Sequence, residues 1–320
     1  MGVTTHAIFG AALEAQPAAP DTYGQRPSGF RLPEATHLGK VRLQIADLER
    51  SLAFYQDVLG FRIVNRSGGQ AALAAHGDER ILIELTERAG ARPASGGGRL
   101  GLYHYAILLP DRASLGRFTH HLSASGIPIG AADHLVSEAF YLHDPDGLGI
   151  EVYTDRPRSA WRRIGQQLMI ATGPIDMPAI LRAADGQPWT GIPAGTVMGH
   201  VHLHVGDLAR AAAFYSEALG FDRITWNYPG ALFLGAGGYH HHLGTNVWAG
   251  PSATPSSIDD ARLVEWTIEL PDAATLADAA HSVSLSGHPL SKSDAGDIST
   301  RDPWGTTVRL RVSDDPRRQQ

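Results

Sequence analysis

Residues 199–221 read GHVHLHVGDLARAAAFYSEALGF, and this stretch carries the clearest structural signal in the chain. Its first part alternates: apolar residues at 201, 203 and 205 share one face of a predicted strand, and histidines at 200, 202 and 204 share the other. The segment 207–218 predicts a helix that covers the apolar face. A strand gains nothing in folding from a row of imidazoles, because each ring must be desolvated and given a partner. The pattern therefore indicates a metal or a substrate on the histidine face.

The same pattern occurs earlier in the chain, at 39–61, as GKVRLQIADLERSLAFYQDVLGF. A gapless alignment of the two stretches matches Gly, Val, Leu, Asp, Leu, Arg, Ala, Phe, Tyr, Leu, Gly and Phe in that order. The correspondence continues downstream, where LPD at 109–111 returns at 270–272 and DPDG at 144–147 returns as DPWG at 302–305. The chain therefore contains a duplicated domain.

Each copy divides again into two similar halves. The order strand, helix, strand, strand, strand fits four segments of the chain, which are 38–87, 100–154, 198–248 and 262–312. We therefore predict an α+β fold of four βαβββ modules whose curved sheets form cups. The predicted organisation is an N-terminal tail 1–36, a first domain 37–155, a linker 156–197 with a short helix at 176–184 capped by Asp176, and a second domain 198–313. We expect the first ~30 residues to be partly disordered.

Composition narrows the function classes. The 320 residues carry a net charge of −6, which argues against a nucleic-acid or anionic-membrane surface. The chain has no cysteine, so a thiolate metal site, a disulfide and a cysteine nucleophile are excluded. A metal would be bound by His, Asp, Glu or Tyr. No apolar run approaches ~18 residues and the start lacks a basic segment, so we expect a cytoplasmic protein.

The two copies of G-x-V-x-L…D-L-x-R-x-x-x-F-Y-x-x-x-L-G-F, each closing with D-P-x-G, resemble the vicinal oxygen chelate (VOC) superfamily. That superfamily contains glyoxalase I and the extradiol ring-cleaving dioxygenases. The runs GTVMGHVHLH at 195–204 and GGYHHH at 237–242 are similar in particular to two-domain catechol 2,3-dioxygenases of the CatE type. The resemblance covers 37–312. It implies tandem VOC domains in which two modules pair into one cup that holds a metal between first and last strands.

The residues at these implied ligand positions decide which modules pair. Module one offers Lys40, module two His104 and Glu151, module three His200, and module four Glu265 and Arg309. Pairing within each copy would place a cationic side chain in both cups, where it repels a metal ion. Pairing modules two and three instead collects the two histidines and the glutamate. We therefore predict one metal site in that cup and a salt-bridged pole of Lys40, Glu265 and Arg309 in the other.

Two histidines and one carboxylate are the ligand set of non-haem Fe(II) oxygenases, and Mn(II) fits the same ligands. The resemblance implies that Tyr141, which precedes the DPDG turn, hydrogen-bonds the substrate. The triplet 240–242 is placed on the last strand of module three, and a gapped alignment puts His241 on its inner face. His241 is therefore our candidate acid/base, because an imidazole suits that task near neutral pH. The sequence leaves the other two histidines of the triplet open for this role.

The predicted function is an Fe(II)-dependent extradiol dioxygenase that cleaves a catechol-like aromatic. Its partners would be a small aromatic diol and O2, with no nucleic acid or membrane. Two alternatives stay open: a glyoxalase-type lyase or isomerase, and a metal-free small-molecule-binding VOC protein. The sequence does not decide the ring substituents, Fe against Mn, or whether the chain forms a homo-oligomer.

Overall fold

The computed structural model of the chain describes residues 3–10, 14–94 and 97–314. Ahead of the first module lie α1 (Thr5–Phe9) and β1 (Gln16–Pro17). Module one contains β2 (His37–Ile45), α2 (Leu48–Ala53, continued as the π-helix Phe54–Val58), β3 (Arg62–Ser67), β4 (Gln70–Ala74) and β5 (Ile81–Glu87). Module two contains β6 (Arg99–Leu108), α3 (Arg112–Ser125), β7 (Gly130–Asp133), β8 (Ser137–His143) and β9 (Gly149–Asp155).

The second half of the chain repeats this order after a structured connection. The connection contains a 3₁₀ turn (Arg158–Ala160), β10 (Arg162–Ile164), β11 (Gln167–Leu168) and α4 (Met177–Ala183). Module three contains β12 (Val197–His204), α5 (Leu208–Ala211, continued as the π-helix Ala212–Ala218), β13 (Asp222–Thr225), β14 (Ala231–Gly235) and β15 (Leu243–Asn246), and the short β16 (Thr254–Pro255) follows. Module four contains β17 (Arg262–Leu270), α6 (Ala273–Leu285), β18 (Ser291–Lys292), β19 (Ile298–Arg301) and β20 (Thr307–Val312). The predicted α+β fold of four βαβββ modules is confirmed.

The repeated aspartate of each module is a helix N-cap. The Asp47 carboxylate accepts a hydrogen bond from the Arg50 backbone N–H at 3.0 Å, and Asp207 does the same for Arg210 at 2.7 Å. The LPD motif provides the same cap in the other two modules, through Asp111 and Asp272. A capping carboxylate satisfies one of the free N–H groups of the first turn. The repeated aspartate therefore marks the residue at which the first strand of each module has ended and the helix begins.

The modules pair across the two copies. One sheet has the order β13-β14-β15-β12-β6-β9-β8-β7, so modules three and two meet through β12 and β6. The other has the order β18-β19-β20-β17-β2-β5-β4-β3, so modules four and one meet through β17 and β2. We call the concave sides of these sheets the middle cup and the outer cup. The predicted cross-pairing is confirmed.

A second pair of repeated residues ties the two sheets together. The Tyr55 hydroxyl of module one donates to the Asp144 carboxylate of module two at 3.3 Å. The Tyr215 hydroxyl of module three donates to Asp302 of module four at 2.7 Å. All four groups are buried. Hydrogen bonds between the Tyr of the F-Y motif and the Asp of the D-P-x-G motif thus join the two modules of each copy. They lie on the side of the sheets opposite to the cups.

The N-terminal segment, for which the sequence predicts partial disorder, packs against the rest of the chain over its described residues. Ile8 and Phe9 are buried in a cluster with Trp161 of the connection. β1 pairs with β10 in a small sheet, and the Tyr23 hydroxyl donates to the Gly238 carbonyl at 2.6 Å. Packing against the connection supplies the apolar burial that the segment lacks by itself.

The short helix of the connection lies where the sequence predicts it. α4 begins after Asp176, whose carboxylate accepts a hydrogen bond from the Ala179 N–H at 3.0 Å. Within the described part of the chain, no helix is both long enough and apolar enough to cross a bilayer.

Candidate metal centre

The three predicted metal ligands lie together on the floor of the middle cup. His104 is on β6, Glu151 on β9 and His200 on β12. Each imidazole places its Nε2 atom 3.0 Å from the Glu151 Oε2 atom. The two Nε2 atoms are 3.4 Å from each other. Three potential ligand atoms therefore converge on one point.

Sheet register explains this convergence. β6 lies between β9 and β12, and Ala106 is opposite Glu151 on one side and His200 on the other. His104 lies two residues from Ala106, so its side chain is on the same face. Gly149 makes the approach of β9 feasible, because a Cβ atom at that position would lie 2.1 Å from the Tyr103 carbonyl oxygen. The ligand set thus depends on three strands from both copies of the repeat.

The electrostatics of the cluster favour a cation. Burial opposes ionisation of Glu151, but the imidazoles of His200 and His104 outweigh it and hold its pKa well below the usual range. Burial lowers the pKa of His200 to about 4, against the opposite effect of the Glu151 carboxylate. A neutral imidazole keeps a lone pair for a metal. The buried site therefore combines the negative charge of Glu151 with a neutral nitrogen donor on His200.

The distances between the three potential ligand atoms also fit a single metal ion. Ligand atoms that lie about 2.1 Å from one ion on perpendicular axes are about 3 Å from one another, and the observed separations are 3.0, 3.0 and 3.4 Å. Without an ion, Glu151 offers one oxygen to two nitrogens, and the buried His200 Nδ1 atom has no hydrogen-bond partner. The residues present fit a divalent metal with open coordination positions.

A cavity of about 420 Å³ opens above the three side chains. Its walls are mainly aromatic and apolar, and include Ile170, Tyr228, Phe233 and Trp248. Glu151 is the only carboxylate among its lining residues, and no lysine or arginine lines it in the described part of the chain. Such a cavity suits a small, mostly apolar ring with a few polar substituents.

Tyr141 lines this cavity, where the sequence predicts it. Its hydroxyl lies 2.6 Å from the Nε2 atom of His134, and the Nδ1 atom of that ring lies 2.7 Å from the Ala171 carbonyl oxygen. A carbonyl only accepts, so the proton of neutral His134 is on Nδ1, and Nε2 must accept from Tyr141. Burial lowers the pKa of His134, which keeps the ring neutral. The lone pairs of the Tyr141 oxygen remain available to a bound molecule.

His241 also lines the cavity, and its ring centroid is 4.1 Å from that of His200. The prediction that the triplet 240–242 lies on the last strand of module three is wrong. The triplet lies in the segment between β14 and β15, so strand alternation does not set its orientation. His240 and His242 are directed away, to Asp155 and to the Ala236 N–H. Burial, followed by the nearby His200 and His240 rings, holds the pKa of His241 well below its ordinary value.

The other two histidines of β12 differ from each other. His202 lines the cavity and is buried, with an Nε2 atom that has no hydrogen-bond partner. His204 lies at the end of the strand, where its Nδ1 atom is 2.6 Å from the Asn246 side-chain oxygen. His202 is therefore the one that a bound molecule can reach.

Sequence reasoning missed three contributions to the cavity. Val3 comes from the N-terminal segment, and Ile170 and Thr172 come from the connection. The Val3 carbonyl accepts a hydrogen bond from the Thr172 N–H at 2.9 Å, so these segments also bind each other. His134, which orients Tyr141, was missed as well. These residues lie outside the repeated motifs, and only chain packing brings them to the cup.

Comparisons with known proteins agree with this architecture. The sequence profile of the Glyoxalase/Bleomycin resistance protein/Dioxygenase superfamily matches residues 37–152 and 197–309. A catechol-2,3-dioxygenase of Bacillus subtilis (strain 168) is 46% identical over 265 residues, which cover 82% of this chain and 92% of that protein.

Solved structures show the same fold at low sequence identity. A protein of Bacillus subtilis subsp. subtilis str. 168, named as a candidate dioxygenase, superposes with a TM-score of 0.61 at 13% identity, over 89% of this chain and 87% of that one. Glyoxalase I from Zea mays superposes with a TM-score of 0.51 at 18% identity, over 87% of this chain and 92% of that one. Because both halves of the repeat match the superfamily profile and most of the chain aligns with the Bacillus subtilis relative, the chain belongs to the Glyoxalase/Bleomycin resistance protein/Dioxygenase superfamily.

Proposed function

We propose that this chain is an extradiol dioxygenase that uses one Fe(II) ion, held by His104, Glu151 and His200, to cleave a catechol-like aromatic with O2. The observation that carries the proposal is the convergence of these ligand atoms within 4.8 Å of one another on the floor of a ring-sized cavity. The 46% identical relative named catechol-2,3-dioxygenase supports it.

The bound ion would supply a positive charge for two adjacent ring oxygens and the redox chemistry for O2 activation. Three protein ligands leave open positions on such an ion, as in other two-histidine, one-carboxylate oxygenases. The chain's own residues would supply proton handling and orientation. The apolar walls exclude water from the ring, which strengthens the polar contacts that remain.

His241 is the proposed acid/base. Its ring lies against His200 and lines the cavity, which supports a role in accepting a proton from one substrate hydroxyl. A neutral imidazole is the form that can accept, and burial favours that form. General acid/base groups contribute about 10²–10⁴-fold to rate. His241→Gln should therefore lower kcat by about that factor without removing the metal.

Tyr141 is the proposed substrate-positioning group. Its hydroxyl hydrogen is committed to His134, so its oxygen accepts from the substrate. Tyr141 and His241 would together offer acceptors to two hydroxyl hydrogens, which matches a diol better than a ketone or a carboxylate. The absence of lysine and arginine from the described lining points the same way.

The test is metal analysis followed by turnover of a panel of catechols. We expect one metal per chain, activity after anaerobic reconstitution with Fe(II), one O2 consumed per ring opened, and a yellow ring-fission product. Reconstitution with Mn(II) in parallel separates the two metals. Turnover without O2 would contradict the proposal and favour the lyase or isomerase class, and so would a metal-loaded protein that cleaves no member of the panel.

A further inference from the structure

The fully buried His240 makes two hydrogen bonds that no part of the proposed chemistry explains. Its Nδ1 atom lies 2.7 Å from the Nδ1 atom of His241, and its Nε2 atom lies 2.8 Å from the Oδ1 atom of Asp155. His240 is outside the ligand cluster and outside the cavity lining. Asp155 ends β9, and 27% of its side chain is exposed. A short chain of polar groups therefore links His241 to the protein surface.

Hydrogen-bond direction along this chain follows from what each group can do. An ionised carboxylate only accepts, so the His240 Nε2–H donates to Asp155. Neutral His240 has no second proton, so its Nδ1 atom carries a lone pair. The 2.7 Å contact then needs a hydrogen from His241, whose Nδ1–H donates. Neutral His241 is left with an unprotonated Nε2 atom, the one ring nitrogen not occupied by His240.

We propose that Asp155 and His240 are positioning residues that hold His241 in the tautomer with an unprotonated Nε2 atom facing the cavity. This inference rests on the proposed function in one respect: the tautomer matters to the reaction because it is the one that can accept a proton from the substrate. The orienting groups act through His241 and do not contact the substrate. A carboxylate that fixes an imidazole tautomer is known to matter in hydrolytic triads, where the amide substitute leaves the geometry intact but supplies the wrong tautomer.

The surroundings of the two residues support a fixed geometry. The His240 ring packs against Tyr239 at 4.1 Å and against Trp161 at 5.5 Å between ring centroids. The Tyr239 hydroxyl lies 3.3 Å from the Asp155 Oδ1 atom and 2.7 Å from the Tyr153 hydroxyl. These contacts keep the His240 ring from turning. They also provide a control, because Tyr239 touches the same carboxylate without lying between it and His241.

Asp155→Asn tests the inference most sharply. The asparagine NH₂ group can donate to His240 Nε2, which reverses every bond in the chain and leaves His241 with a proton on Nε2. Tyr239→Phe is the matched control, because it removes a neighbouring hydroxyl and keeps the Asp155 to His240 bond.

The first measurement needs no metal and no substrate. In metal-free protein labelled with ¹⁵N-histidine, two-bond ¹H–¹⁵N spectra report the tautomer of each neutral ring, and the signals absent from His241→Gln identify His241. We expect the Nδ1–H tautomer in the wild type and in Tyr239→Phe, and a shift toward Nε2–H in Asp155→Asn. An Nε2–H tautomer in the wild type would overturn the inference, as would an Asp155→Asn spectrum identical to that of the wild type.

The second measurement uses the Fe(II)-reconstituted enzyme. We expect Asp155→Asn to lower kcat by about 10²–10⁴-fold, with KM and iron content within about threefold of the wild type, and Asp155→Glu to restore part of the loss. A kcat in Asp155→Asn equal to that of Tyr239→Phe would overturn the inference. If the wild type cleaves no catechol, the proposed function fails, but the tautomer experiment still decides this inference.

Discussion

The middle and outer cups share one backbone plan and differ in the charges that they hold. Glu151 on β9 lies opposite Ala106 of β6, and Arg309 on β20 lies in the same relation to Thr267 of β17. Glu265 precedes Thr267 by two residues, as His104 precedes Ala106. The sheets therefore present equivalent positions. In the middle cup these positions bring two imidazoles and one carboxylate together, whereas in the outer cup they form an ion pair between an arginine and a glutamate.

The outer cup contains the predicted ion pair of Glu265 and Arg309, but Lys40 does not join it. The Arg309 guanidinium donates two hydrogen bonds to Glu265, from Nε to Oε1 and from Nη2 to Oε2, each 2.7 Å long. Lys40 pairs instead with Glu84 of β5, which also accepts from Arg42 at 3.1 Å. Each carboxylate is thus already neutralised by a protein cation. The scaffold thus makes two cups, and the charges of the side chains at equivalent positions distinguish the candidate metal site from the ion pair.

The largest effect is expected at the carboxylate of the middle cup. Glu151→Gln removes the one negative ligand, and we expect metal affinity to fall by more than the about 10–100-fold typical of changes behind the ligands. Activity should fall with it, and the circular dichroism spectrum should stay unchanged because the core face of β9 is untouched. Metal content and activity after reconstitution measure the effect. Retention of one metal per chain in Glu151→Gln would remove this residue from the ligand set.

Moving the ligand set to the outer cup sharpens the comparison. The triple substitution Lys40→His, Glu265→His and Arg309→Glu places the middle-cup residues at equivalent positions. We expect the metal content measured with Zn(II) to rise from one to two equivalents per chain, because the sheet register is the same in both cups. The double variant that keeps Arg309 is the control, since its guanidinium occupies the carboxylate position. If the folded triple variant still binds one Zn(II) equivalent per chain, the shared sheet register and the three ligand residues are not sufficient for a metal site.

Breaking the outer ion pair should cost stability and not activity. Among the residues that the structure describes, Arg309→Gln leaves the buried Glu265 with Arg42, 3.9 Å away, as its one cationic partner. We expect the free energy of unfolding to fall by about 1–3 kcal/mol, measured by urea denaturation, with metal content and kcat as in the wild type. Loss of the metal in this variant would contradict the assignment of the site to the middle cup.

An effect on the pH dependence of stability, with none expected on metal binding, concerns the two aspartates that join the sheets. Burial raises the pKa of Asp144 to about 7, while an unfolded aspartate titrates near 4. The folded state therefore prefers the protonated acid, and this contribution to stability is complete below pH 4 and lost as the pH rises toward 7. In the wild type, ionisation of Asp144 should lower the free energy of unfolding between pH 5 and pH 8. We expect this decrease to be about 2–3 kcal/mol smaller in Asp144→Asn.

Urea denaturation of the metal-free protein at both pH values measures this effect. The matched variant is Asp302→Asn, because burial also raises the pKa of Asp302. The Tyr215 hydroxyl donates to Asp302 at 2.7 Å, against 3.3 Å for Tyr55 and Asp144, and so supports the charged form more strongly. We therefore expect the same sign and a smaller change. An unaltered pH dependence in Asp144→Asn would contradict this account.

Much of the site could be predicted from the sequence once the resemblance to the VOC superfamily had given the ligand positions. A cationic side chain at a ligand position repels a metal ion, so Lys40 and Arg309 point to the middle cup as the candidate metal site. Alternation along β6, β9 and β12 then assigns His104, Glu151 and His200 to one face, because side-chain direction in a strand depends only on sequence position. The prediction that 240–242 lie on a strand was wrong. These residues lie between β14 and β15, so the alternation that located the three candidate ligands does not apply to them.

The duplicated α+β fold follows from strand periodicity and the internal repeat, which are properties of residues in order. The cross-pairing of the modules and the three converging side chains follow from residue charge only once the resemblance to the VOC superfamily gives the ligand positions. What surrounds these side chains depends on the packing of the folded chain. Val3, Ile170 and Thr172 reach the cavity through packing between segments far apart in the chain. His134 and Asp155 orient Tyr141 and His241 through hydrogen bonds that depend on distances of a few tenths of an ångström. No pattern along a single strand encodes such contacts.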